Sequence, residues 1–157
     1  MQIVDAHQHF WCITDRAGQW PPPSLAAIHR DFAPDDLLPT LERCHVAGTV
    51  LVQSLPSVAD TECLLQLAER HGFVQGVVSW VDLKAADAVA QIEQLAKHPR
   101  LKGLRPMLQD LDDDRWIEDA ALDPAIAAML DHGLCFDALV LPRHLAALLA
   151  FAQRLQP

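Results

Sequence analysis

The amino-acid sequence predicts an α/β fold of parallel strands: a partial (β/α)8 TIM barrel holding about five of the eight β/α units. Three observations lead there. Short, near-continuous apolar runs, as expected of strands covered on both faces, alternate with longer stretches whose apolar residues recur every three or four positions, as in amphipathic helices. The strand-like runs open near residues 3, 49, 76, 102 and 134, so the later units recur about every 26 to 32 residues, against about 31 per unit in a complete barrel of about 250. Several runs end in polar or aromatic residues, and strand ends are where such barrels carry their chemistry.

The first strand lies within residues 1–11 and reads Ile3-Val4-Asp5-Ala6-His7-Gln8-His9-Phe10-Trp11. Side chains alternate along a strand, so Asp5, His7 and His9 share one face while Val4, Ala6, Gln8 and Phe10 take the other. The two imidazoles then lie side by side with Cβ atoms about 6 to 7 Å apart, and their rings can converge on one ion at about 2.0 to 2.1 Å. Residues 12–36 show no periodicity and carry Trp20, Pro21-Pro22-Pro23 and Phe32. A connection of that length is commonly functional, and in a barrel it would lie over the end of the first strand as part of a lid.

A helix over 35–45 turns Leu37, Leu38 and Leu41 inward, with Pro39 tolerated near its first turn. The second strand, 49–54, ends in Gln53, placed to face the barrel mouth. Ser57 with Asp60 three residues on reads as a helix start, and Leu64, Leu65 and Ala68 form a stripe that runs to His71-Gly72. The third strand, 76–83, ends in Trp80 and Asp82 on one face. The helix over 86–98 buries Val89, Ile92 and Leu95 and stops before Pro99. The fourth strand, 101–108, carries Arg105. The acidic run 110–114 reads as solvated surface. Asp123 and Pro124 supply an N-cap and a first-turn proline for a helix that turns Ile126, Met129 and Leu130 inward and ends at His132-Gly133. The fifth strand, 134–141, exits through Pro142-Arg143-His144 into a last helix that buries Leu145, Leu148, Leu149, Ala152 and Leu155.

With 157 residues, 51% of them hydrophobic, the chain is long enough for one domain with a substantial core. Twelve basic residues against 21 acidic ones give a net charge of −9, which repels nucleic acid and anionic membranes. Cys12, Cys44, Cys63 and Cys135 are widely spaced beside apolar runs, without a Cys-x-x-Cys pair, and read as buried, reduced thiols of a cytosolic protein. No export signal and no apolar run of about 18 residues occurs, so a cytoplasmic location is expected.

Ile3 to Trp11 resembles the first strand of the amidohydrolase superfamily, in the branch of sugar lactonases that includes L-fuconolactonase and L-rhamnonolactonase. Further matches follow in order: His29-Arg30-Asp31-Phe32 with Pro34 and Asp36-Leu37, then Gly48-Thr49-Val50-Leu51-Val52-Gln53. After these come Gly76-Val77-Val78-Ser79-Trp80-Val81-Asp82-Leu83, Lys102-Gly103-Leu104-Arg105 with Leu108-Gln109, and Phe136-Asp137-Ala138-Leu139-Val140 with Pro142-Arg143-His144-Leu145. The likeness covers nearly the whole chain. Complete members of the family continue with further strands, one bearing a His and the last an Asp in a Gly-Ser-Asp context, and neither pattern occurs here. Residues 1–157 are therefore expected to be a single amidohydrolase-related domain, truncated at its C-terminal side.

The resemblance implies hydrolysis of a sugar-acid lactone, of L-fucono- or L-rhamnonolactone type, to the hydroxy acid. In that family the catalytic base is attributed to the Asp of the final strand, so this chain is expected to be an incomplete, weakly active or inactive form. The competing readings are another amidohydrolase-type reaction, amide hydrolysis or decarboxylation, and a non-enzymatic remnant or interaction module. Lactonases of this branch differ in metal dependence, so the cofactor is either a divalent metal, zinc, or none. The partner is a small-molecule sugar lactone. Open first and fifth strands would also expose unpaired backbone, which predicts self-association.

Strand-end residues are the site candidates. His7 and His9 are expected as metal ligands or as donors that polarise a lactone carbonyl. Arg105 can fork onto carboxylate or hydroxyl oxygens or tie neighbouring strands. Trp80 can stack on a sugar face or pack, and Gln53 can bond a hydroxyl or satisfy a strand end. His144 can contact substrate or cap the first turn of its helix. Asp5 lies deeper in its strand, Asp82 suits an N-cap, and His29 in the long loop is a lesser candidate. His45, His71, His98 and His132 sit in last helical turns, where they suit the helix dipole.

Overall fold

A computed structural model describes residues 2–16 and 18–155; Met1, at the head of the expected first strand, lies outside them. Five strands, β1 (Ile3–Gln8), β2 (Val46–Val52), β3 (Val74–Ser79), β4 (Leu101–Leu104) and β5 (Cys135–Phe136), form one sheet in sequence order. Every neighbouring pair is parallel. Helices α1 (Pro34–Arg43), α2 (Val58–Arg70), α3 (Ala88–Leu95), α4 (Asp123–Asp131) and α5 (Leu145–Arg154) alternate with the strands, giving five units of an open half-barrel. No described helix is long and apolar enough to cross a membrane.

Local chemistry accounts for most boundaries. Ser57 Oγ accepts the Asp60 amide at 3.0 Å and starts α2 as its spacing predicts. At α1 the Asp36 carboxylate accepts the Ala33 amide at 2.8 Å. His45, expected in the last turn, instead adopts φ +54°, a left-handed exit that sends the chain directly into β2. β2 accordingly begins at Val46 rather than 49. Asp123 is the first residue of α4 rather than its cap, and its carboxylate pairs with Arg154 of α5 at 3.0 Å.

Three strands end short of their predicted runs: β3, expected to reach 83, stops at Ser79, and β4 and β5 are cut back further. β4 stops at Leu104 because Pro106, two residues on, has no N–H to extend the ladder. β5 shrinks with it to Cys135–Phe136. Beyond these residues single bonds hold the two chains side by side: Asp137 N–H to Leu104 O at 2.9 Å and Gln109 N–H to Leu139 O at 3.2 Å.

The core lies between the sheet and its helices, with Leu51, Val74, Val77, Leu64, Ile92 and Leu104 among its fully buried members. Two helix faces differ from expectation. α5 buries Ala147 and Phe151, while Leu145 and Leu149 are 55% and 59% exposed. Phe151 packs on Phe136 with ring centroids 5.0 Å apart, and the leucines, offset by two positions or about 200°, face the opposite way. Leu130 of α4 is likewise exposed. The thiols also differ: Cys44, Cys63 and Cys135 are exposed and Cys12 half-buried, all four free. Cys135 sits on the short edge strand, where no described strand covers it. The other edge, β1, leaves Ile3 and Val4 46% and 44% exposed.

The orientation of α5 makes a direct prediction. Phe151→Ala should cost about 3 to 5 kcal/mol and Leu149→Ala less than about 0.5 in urea unfolding. Equal losses at the two positions would show that α5 buries both stripes.

Candidate active site

The alternation of β1 divides its polar residues between two faces. Gln8 is buried and donates from Nε2 to Thr49 Oγ1 at 3.2 Å. His7 and His9 project to the other side with their Nε2 atoms 3.1 Å apart and their rings nearly perpendicular at 83°. His9 Nδ1 lies 2.7 Å from the Val52 carbonyl, which can only accept, so Nδ1 carries the proton and a neutral ring turns a bare Nε2 toward His7. Burial pulls the His9 pKa below its ordinary value. The Val52 hydrogen bond opposes this, and the nearby His7, Arg105 and Arg16 reinforce it. Asp5 does not reach outward with the imidazoles but accepts the His7 amide at 3.1 Å.

Arg105 arrives at the same place from β4. Its guanidinium is buried, donates to the Gln53 carbonyl, and sets its other terminal nitrogen 3.5 Å from His7 Nε2. Burial lowers its pKa, with Asp137 the first of the charges that oppose the shift, and a guanidinium remains a cation throughout. Its Nε is buried without a partner among the described residues.

These three side chains line a cavity of about 510 Å³, a size suited to a small molecule. Trp20, Leu55, Pro56, Met107 and Leu139 supply apolar wall, and Gln19, Ser54, Gln109 and Asp110 supply polar wall.

The other expected site residues lie off this lining. Gln53 is fully buried, its Nε2 committed to the Arg105 carbonyl at 2.8 Å. β3 ends at Ser79, and the next residue, Trp80, has its backbone N–H and carbonyl held by Thr61 Oγ1 at 3.1 and 2.8 Å, which draws the chain toward α2. His144 is buried and accepts the Leu141 amide at 2.9 Å, which caps the first turn of its helix. His29 bonds the Pro21 carbonyl at 2.9 Å within the loop, and Asp82 accepts the Lys84 amide at 3.0 Å in a turn.

The structure adds a residue that sequence reasoning missed. Arg16, in the aperiodic loop, is buried and donates to Ser54 Oγ at 2.8 Å and to the Trp20 carbonyl at 3.1 Å. It also pairs with Asp60 at 3.4 Å. Burial lowers its pKa and Asp60 opposes the shift. The Ser57-x-x-Asp60 spacing marks a helix start, but nothing in it signals a second duty for the Asp60 carboxylate.

As a metal site the pair of imidazoles is half complete. Two ligands about 2.0 to 2.1 Å from a tetrahedral zinc sit about 3.3 Å from each other, close to the Nε2 separation of 3.1 Å. The Val52 bond fixes the His9 tautomer as a ligand requires. No third His, Cys, Asp or Glu joins them among the described residues.

Comparison with known proteins gives a consistent answer. The family model described as amidohydrolase matches residues 4–156. The chain is 61% identical over 151 residues to the L-fucono-1,5-lactonase of Burkholderia ambifaria, covering 96% of this chain and 52% of that protein. The crystal structure of an amidohydrolase from Burkholderia multivorans with bound HEPES superposes with a TM-score of 0.89 at 29% identity, covering 98% of this chain and 54% of the other. A crystal structure from the same organism with bound Zn gives 0.86 at 30% identity, over the same shares. The chain thus spans about half the length of these relatives.

Proposed function

The chain belongs to the amidohydrolase family, and from that membership we propose that it forms the binding and polarising part of a site that hydrolyses a sugar-acid lactone of the L-fucono-1,5-lactone type to its open hydroxy acid. One observation carries the reading: two imidazole Nε2 atoms 3.1 Å apart, with a buried guanidinium 3.5 Å from the first, in a cavity of about 510 Å³.

Lactone hydrolysis builds negative charge on the carbonyl oxygen as water attacks, and the ring oxygen must leave as a protonated alcohol. His9, neutral and with an unprotonated Nε2 turned toward His7, can take up a proton or a ligand. Arg105 offers a fixed cation to the developing oxyanion or to the hydroxy acid's carboxylate. The apolar wall suits the face of a sugar ring. A zinc ion, when bound, would be held by His7 and His9 and would supply Lewis acidity at the carbonyl; the imidazole geometry and the bound Zn of the structural relative support that part. For this chain alone we propose binding with little turnover, since an open half-barrel leaves bulk water at the reacting carbonyl and weakens each electrostatic contact there.

Calorimetric titration with L-fuconate, the hydrolysis product, should show binding that weakens about tenfold or more in a His7→Ala, His9→Ala double variant. Equal affinity in the two proteins would refute the assignment. Hydrolysis of L-fucono-1,5-lactone well above that of the double variant would refute the low-turnover part. The exposed β1 edge supports self-association as well, and a single monomer boundary in sedimentation velocity at every concentration would overturn that.

A further inference from the structure

The loop between β1 and α1 supplies Gln19 and Trp20 to the cavity wall, and a buried cation, Arg16, ties it to the site. Arg16 is only 4% exposed although an arginine in an aperiodic loop is ordinarily solvated. Its guanidinium bonds Ser54 Oγ at 2.8 Å and the Trp20 carbonyl at 3.1 Å, and pairs with Asp60 of α2 at 3.4 Å. It also lies 5.6 and 5.9 Å from the ring centroids of Trp11 and Trp20. The second Asp60 oxygen accepts the amides of Ser54 and Leu55, each at 3.2 Å. Gln19 donates its amide to the Arg16 carbonyl at 2.8 Å.

Four of the residues held in this way, Gln19, Trp20, Ser54 and Leu55, line the cavity of His7 and His9. Trp20 meets Trp11 edge-on at 5.1 Å, and the Trp11 backbone pairs with Phe32, which closes the base of the loop. Trp20 nevertheless keeps 37% of its surface exposed. A bulky indole thus stands partly open beside the cavity, on a loop whose base and middle are both fastened.

We propose that Arg16 is a positioning residue: it clamps the loop to the rim so that the Trp20 indole stands as a fixed wall of the cavity, the platform on which the apolar face of a ring-shaped substrate packs. Trp20 thereby takes the stacking role that the sequence suggested for Trp80. The identity of that ring rests on the lactone reading above; the clamp itself does not.

The test uses Arg16→Ala, Arg16→Lys, Trp20→Ala and the Arg16→Ala, Trp20→Ala double variant, with folding followed by circular dichroism. Thermolysin cleavage at Leu25 or Ile28 reports the loop, and calorimetry with L-fuconate reports the cavity. Arg16→Ala should speed loop cleavage about tenfold or more, and it and Trp20→Ala should each weaken L-fuconate about fivefold or more. Because one residue acts through the other, the double variant should lose no more than the larger single loss. Lysine can pair with Asp60 but cannot also fork to Ser54 and Trp20, so Arg16→Lys should fall between the unaltered chain and Arg16→Ala. If Arg16→Ala does not fold, Arg16→Lys and its double with Trp20→Ala carry the same comparison.

Unchanged cleavage, or a double variant whose loss is the product of the two single losses, would overturn the proposal. Weakening by His7→Ala without weakening by Trp20→Ala would also overturn it while the lactone site stands. Absence of L-fuconate binding by the unaltered chain would instead sink the lactone reading, and the cleavage rates would then decide the clamp.

Discussion

Arg105 and Gln53 exchange hydrogen bonds across the rim of the sheet. Gln53 Nε2 donates to the Arg105 carbonyl at 2.8 Å, and the Arg105 guanidinium donates to the Gln53 carbonyl. Both residues are buried, so without the exchange each carbonyl would lose a partner it cannot replace with bulk water. β3 is stitched between them, the Gln53 amide to Val78 O and the Arg105 amide to Ser79 O, both at 2.8 Å. Since all neighbouring strands are parallel, the five C-terminal ends share one rim, and this exchange ties the ends of β2 and β4 together across it. The other terminal guanidinium nitrogen faces His7. The tie between strands and the cation of the proposed site are therefore the same side chain.

The two imidazoles depend on the same rim. Val52, the last residue of β2, supplies the carbonyl that holds His9, and Asp5 bolts the His7 amide from within β1. Asp60 fastens the segment after β2 through two amides and meets Arg16 with its other oxygen. His9 and Arg105 are thus held by backbone carbonyls and Ser54 by the buried Arg16–Asp60 pair, the kind of preorganisation that lets fixed charges act at little reorganisation cost. Burial supplies the rest, keeping His9 neutral and available as acceptor or ligand.

Much of this was legible in the sequence. Strand alternation alone separated His7 and His9 from Gln8, and the observed faces agree. The recurrence of apolar runs yielded five parallel units, and the Ser57-x-x-Asp60 spacing located the start of α2. What periodicity could not fix was which of two apolar stripes faces inward: α5 carries Leu145 and Leu149 on one side and Ala147 and Phe151 on the other, and only its packing partner, Phe136, decides. The apolar run continues past Leu104, while the ladder stops for want of an N–H at Pro106. Polar residues were harder still. Gln53 and His144 read as candidates for substrate contact, yet both are absorbed by backbone partners far from them or local to them in sequence, and Arg16 in its loop gave no signal at all.

The tautomer of His9 is the most direct test, because the paired-imidazole site requires Nδ1 to be occupied by the Val52 carbonyl and Nε2 to be bare. Long-range 1H–15N spectra of the chelator-treated, 15N-labelled chain at neutral pH will show His9 neutral and protonated at Nδ1, with added zinc shifting the Nε2 resonances of His7 and His9 together. A His9 ring protonated at Nε2, or at both nitrogens, would contradict the geometry on which the site is built.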